Sequence, residues 1–251
     1  MTAAARERAR VRTPILLASA ISWSVIVMNP AGATTHDHHL HHGSSAMVLE
    51  HGSLCDLASG WLLMLVAMML PLLASPIGHV RDRSFARRRV RATALFVASY
   101  LAVWAAAGVA LSLAALAISR SVHGEWIPPC LGIAAALAWQ LSPSKQVSAN
   151  HLHAHPQLPA FGVAADLGVI RFGVTHGWWC LGSCWSLMLL PMLCGSGHLV
   201  VMAVVSLWVW GEQLDLPRAP SWCLRTPARA ARLVLTQVRC WASAVMPGLA
   251  S

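Results

Sequence analysis

The chain has 251 residues, of which 57% are hydrophobic and 11% charged, and it carries a net charge of +9. With a mean hydropathy of +0.59 it falls outside the composition of soluble domains and reads as an integral membrane protein. The excess charge does not indicate a nucleic-acid binder, because the arginines cluster at the ends of apolar runs, where positive-inside topology accounts for them.

Arg6, Arg8, Arg10 and Arg12 precede an apolar run from Pro14 to about Ala33. This run fits either a signal peptide or a first membrane helix, and its length of roughly 20 residues favours an uncleaved span. The segment after it is expected on the outer side. It holds His36, His38, His39, His41 and His42, then His51 and Cys55. Dense imidazoles in a polar loop form a metal-binding composition, although a solvated, pH-sensitive loop would look the same.

A second span is expected from about Leu57 to Ser75, with Trp61, Met64, Met68 and Pro71. Met64 and Met68 lie one turn apart, either as thioether ligands or as packing beside the kink that Pro71 should impose. Such a kink exposes carbonyls and can open a pocket. The loop with Arg81, Arg83, Arg87, Arg88, Arg89 and Arg91 should be cytoplasmic. A third span, about Ala92 to Ile118, has small residues at helical spacing, including Ala106, Ala110 and Ala114, and reads as a packing helix. A short fourth span, roughly Trp126 to Leu141, carries Cys130. The inner loop from Ser142 to about Arg171 contains Lys145, His151, His153 and His155, with Pro156 and Pro159 blocking a long helix.

The fifth and sixth spans, about Phe172 to Cys194 and His198 to Leu214, hold the most distinctive pattern. His176, Cys180, Cys184, Met188 and Met192 recur every fourth residue, so on a helix each side chain stands above the last. The row drifts by roughly 40° per step, so any one ion would meet two or three of these groups. Thiolates and thioethers are soft donors that select Cu(I), and imidazole adds a borderline ligand. Cys and Met are also ordinary packing residues, but a histidine one turn before a Cys-x3-Cys pair inside a membrane segment marks a functional site by default. Glu212, near the inner end of the sixth span, is expected to hydrogen-bond His176 and orient its imidazole. The tail from residue 217 is basic and cytoplasmic, and about 228–246 has the pattern of a helix on the membrane surface.

The fold expected is therefore an all-α polytopic membrane helix bundle of about six transmembrane helices, with both termini cytoplasmic in a bacterial inner membrane. Residues 1–56 form an N-terminal helix and His-rich outer loop, 57–216 a core metal-binding domain of five helices, and 217–251 the tail. Seven cysteines give no CxxC pair and no disulfide framework. Cys55, Cys130 and Cys194 share the outer side, with nothing to select a pairing.

Trp61-x2-Met64-x3-Met68-Met69-x-Pro71, Pro143-x-Lys145, Gly177-x2-Cys180-x-Gly182-x-Cys184-Trp185 and Glu212 together resemble a bacterial family of metal-binding integral membrane proteins built on a domain of unknown function, sometimes labelled a copper chaperone. The resemblance covers most of the chain after Leu57 and implies a multi-span protein that handles copper. The chain departs from the family at Ser183, Ser148 and Leu152, where further cysteines are common, and at Gln213, where lysine is common. His151, His153 and His155 stand near the missing thiols.

Three functions compete. The first is a non-enzymatic protein that binds Cu(I), or another soft or borderline metal, for delivery or transport to a metal-accepting protein, with the outer histidines capturing ions. The second is a membrane thiol-disulfide oxidoreductase using Cys180 and Cys184, whose Cα atoms on a regular helix lie about 6 Å apart, at the long end of disulfide range. The third is a structural or assembly subunit in which every sulfur is packing. No phosphate-binding loop, Gly-x-Ser-x-Gly elbow or HExxH motif is present, and no enzyme activity is expected.

Overall fold

The computed structural model describes residues 3–28, 51–195 and 197–245. The loop with His36, His38, His39, His41 and His42 lies outside the described residues. The elements are α1 (Ala3–Met28), α2 (His51–Met69), a 3-10 turn (Leu70–Leu73), α3 (Ala74–Asp82), a second 3-10 turn (Ala86–Arg88), α4 (Arg89–Ser121), α5 (Ile127–Leu141), α6 (Pro143–His151), α7 (Gly162–Leu193), α8 (His198–Gln213) and α9 (Ala228–Val245). No strand occurs among the described residues.

Three stretches are long and apolar enough to cross a membrane: Ala9–Met28, Ala58–Asp82 and Ala86–Ser121. The apolar α5 is shorter, with 15 residues. α7, with 32 residues, and α8, with 16, stand where the fifth and sixth spans are expected. α7 begins at Gly162 rather than Phe172, so Arg171 lies inside the helix. The prolines act as expected but earlier: Pro156 and Pro159 fall in the extended segment between α6 and α7, and nothing beyond Gly162 stops the helix until Cys194. α6 itself starts on a Ser-Pro signal, with the Ser142 hydroxyl accepting from the Lys145 N–H at 3.2 Å and Pro143 in the first turn.

Pro71 breaks the second expected span into α2, the 3-10 turn and α3. Proline cannot supply the N–H that would bond the carbonyl four residues back, and this frees the Ala67 oxygen. The Ser19 hydroxyl (2.7 Å) and the Trp23 indole (3.2 Å) of α1 donate to it instead. One residue on, the Met68 carbonyl accepts from the Trp210 indole of α8 at 2.7 Å. The kink is thus filled by donors from two other helices rather than opened as a pocket, because buried carbonyls must be satisfied in an apolar surround.

α7 is the inner helix, in contact with α4, α5, α6 and α8. From Ser186 to Pro191 every residue is buried. Its closest approach is to α4. A Cβ on Gly173 would stand 2.6 Å from the Phe96 carbonyl oxygen, and one on Gly177 would stand 3.1 Å from Val103. Two glycines one turn apart let the two backbones meet, as small residues do between membrane helices. Phe96, Tyr100 and Trp104 fill the contact and are fully buried. Ala106, Ala110 and Ala114, expected to pack, are instead exposed on α4. The large aromatic side chains claim the inner face because burying them removes far more apolar area than alanine does.

One end of the bundle is strongly basic. There Arg88 and Arg91 both pair with Asp166 at the start of α7. Arg88 also donates to the Ala160 carbonyl, and His79 bonds the Pro156 carbonyl at 2.9 Å. Asn150 and Gln146 of α6 bond the 218–223 segment, and the Asp215 carboxylate accepts from the Arg229 N–H at the start of α9. α1 packs against α3, which brings the N-terminal part of α1 to the same end. α9 leaves Leu233, Val234, Leu235 and Val238 exposed beside its arginines.

Candidate metal centre

His176, Cys180, Cys184 and Met188 all lie on the buried face of α7, with Met192 half-buried above them. The expected row is therefore one face, turned into the core. Cys180 and Cys184 are each 1% exposed and stand one turn apart on the same buried face. The Cys184 thiol donates to the Cys180 carbonyl at 3.1 Å, a bond that holds it one turn above its neighbour. The Ser183 hydroxyl donates to the same carbonyl at 2.8 Å.

From α4, the Tyr100 hydroxyl stands 3.2 Å from the Cys180 sulfur. Tyr100 is the only tyrosine in the chain. One turn along α4 from it is buried Trp104, whose indole N–H makes no hydrogen bond among the described residues. His176 sits one turn before Cys180 and is enclosed by rings: Phe172 at 5.8 Å, Phe96 at 6.0 Å and Tyr100 at 6.1 Å between centroids. The thiol pair thus stands in a largely apolar pocket with one hydroxyl 3.2 Å from the Cys180 sulfur.

Glu212 does not orient His176. It forms an ion pair with Lys145 of α6, whose side chain is fully buried. Lys145 is the only lysine in the chain. A buried carboxylate needs a full opposite charge, and the ammonium supplies what a neutral imidazole cannot. A small polar pocket joins Lys145 and Glu212 to Asp215, Arg225 and His153.

The three inner histidines diverge. His151 stacks on Trp179 of α7, at 4.2 Å between centroids and 14° between planes. His155 turns to His79 and Ser75. His153 faces the charged pocket, where burial, Arg225 and His155 hold its imidazole below the usual histidine range. Alternation would align them only in an extended strand, whereas His151 ends α6 and a turn follows.

Met68 is fully buried and Met64 half-buried, both in the apolar core that includes Cys180, Cys184, Met188 and Met202. Among the described residues no three His, Cys, Asp or Glu side chains converge on one point. Cys130 and Cys194 carry free thiols. Sequence reading overlooked Tyr100 as a neighbour of Cys180 and Lys145 as the partner of Glu212. Their signal was solitude: one phenol and one ammonium in a chain that otherwise uses tryptophan and arginine.

A model of the family PpoB2, described as a copper chaperone, matches residues 58–234. It begins inside α2 and ends inside α9, so it contains every α7 and α8 residue named above and leaves out α1. No curated protein and no solved structure matches the chain.

Proposed function

The chain belongs to this copper chaperone family, and on that premise we propose that it is a multi-pass inner-membrane protein that holds Cu(I) on Cys180 and Cys184 for delivery or transport, without catalysing a reaction. The basic end is cytoplasmic and both termini lie on that side, in keeping with the arginines gathered there. The observation that carries the reading is the pair of buried cysteines one turn apart on α7, with an imidazole one turn below and a thioether one turn above.

The donor set fits a soft ion. Two thiols, with Met188 or His176 to complete them, suit Cu(I), whereas structural zinc takes four ligands in a tetrahedron. As ligands the thiols lose their protons, and a bound cation compensates charge that the apolar pocket could not otherwise carry. Met64 and Met68 supply further thioethers in the same core. His36, His38, His39, His41 and His42 capture ions on the outer side, and Glu212 supports the site from outside the ligand set through its pair with Lys145. The partners are the bilayer, the metal ion and a metal-accepting protein.

Competition with a Cu(I) chelator tests the site. The variant Cys180→Ser, Cys184→Ser should lose tight Cu(I) binding while remaining folded, since serine keeps the size but is a poor ligand for a soft ion. Unchanged affinity in that variant would refute the proposal.

A further inference from the structure

At the basic end a cavity of about 490 Å³ opens between the segment after α6 and the first half of α7. Its lining includes His151, Pro156, Arg171, Phe172, His176 and Trp179. His151, Pro156 and Arg171 are exposed, while His176 is buried, so the cavity leads from the surface into the bundle with His176 on its inner wall. One turn further along α7 stands Cys180. Resting on the function proposed above, we infer that this cavity is the portal through which Cu(I) reaches and leaves the thiol pair from the cytoplasmic side, and that His176 is the transfer ligand.

The chemistry of the lining specifies the form in which the ion arrives. The cavity holds Arg171 and no carboxylate, which disfavours a bare cation and favours an anionic complex of Cu(I) with small thiolates. Its volume far exceeds that of an ion and admits such a complex. His176 replaces one donor thiolate on copper: a copper–nitrogen bond forms as a copper–sulfur bond breaks. Cys180 and then Cys184 replace the remaining donors, and each proton leaving these thiols passes to a departing thiolate. Copper stays Cu(I) throughout, so the exchange needs no oxidant or reductant. The stacked pair His151 and Trp179 and the segment around Pro156 form the wall that keeps this path open beside α7.

A portal sets rates and not equilibria. Ala154 lines the cavity, is exposed, and touches neither thiol nor His176 in any described contact. With the full-length protein in nanodiscs and Cu(I) supplied as its glutathione thiolate complex, Ala154→Trp should slow both loading and release by at least about tenfold while leaving the equilibrium affinity as in the native chain. Native rates in a folded Ala154→Trp protein would overturn the portal. An independent arm uses no metal. His176→Cys should react with a charged, membrane-impermeant thiol reagent added from the cytoplasmic side, with the modified residue located by mass spectrometry, and Ala154→Trp should block that reaction. No modification of residue 176 from that side would overturn the inference even if Ala154→Trp failed to fold. Absence of Cu(I) binding by the native protein would instead refute the function on which the inference rests, while the labelling arm would still report whether the cavity opens to the cytoplasm.

Discussion

Two neighbouring regions along the buried face of α7 treat polarity in opposite ways. At the basic end Lys145 is fully buried and Glu212 largely so, and the two form an ion pair within the chain. Cys180 and Cys184, as thiols, need no countercharge, and they rest in a largely apolar pocket with the Tyr100 hydroxyl and the Cys180 carbonyl as polar contacts. The first region is electrostatically complete. The second becomes charged only when its thiols deprotonate, and the positive charge it then requires must come from outside the chain. A buried group that is already satisfied stabilises the fold, whereas one whose ionised form lacks a partner is suited to binding.

The most severe way to break this contrast is to strip the complete region of one partner. Lys145→Met should destabilise the protein by about 3–5 kcal/mol, because it leaves the largely buried Glu212 without its ion-pair partner. Thermal unfolding in detergent would show this. The double variant Lys145→Met, Glu212→Met should recover most of the loss, and a single variant as stable as the native chain would contradict the buried pair.

A smaller effect should follow at the thiols. Tyr100→Phe keeps the ring in its α4–α7 contact but removes the hydroxyl 3.2 Å from the Cys180 sulfur. Cu(I) affinity should fall roughly 10–100-fold, as when the outer partner of a metal ligand is removed, with little change in thermal stability. Chelator competition on the purified variant checks it. Equal affinity would reduce Tyr100 to packing.

The smallest effect concerns pH. Burial, Arg225 and His155 hold the His153 imidazole below its ordinary range, so the folded protein favours the neutral form. As pH falls, the unfolded chain takes the proton first. The stabilisation is therefore present above the ordinary histidine value of about 6.5 and is lost as the pH drops below it. Unfolding temperature should decline slightly below about pH 6.5, and His153→Gln should flatten that decline.

Much of this arrangement could be read from the order of residues. The four-residue recurrence from His176 to Met192 depends only on helix geometry, and the structure turns His176, Cys180, Cys184 and Met188 inward. The Pro71 break is a local steric matter and was equally legible. What could not be read was partnership across helices. Glu212 has two candidate neighbours at similar depth, and the choice of Lys145 over His176 depends on how α6 packs against α7. Likewise the inner face of α4 follows its aromatics and not Ala106, Ala110 and Ala114. Spacing shows that a face exists, while side-chain size decides which face is buried.

The unbonded carbonyl at Pro71 also bears on the order of assembly. Its two donors, Ser19 and Trp23, are made before Ala67 emerges, so α1 and α2 can settle as a hairpin as soon as both are inserted. The adjacent Met68 carbonyl must wait for Trp210, which lies 142 residues later in the chain. Until α8 arrives, that oxygen lacks its indole donor, which comes from one of the last helices to be synthesised. The bend at Pro71 therefore joins the two ends of the chain: the carbonyl beside it receives its indole donor from α8, which follows the thiol-bearing α7.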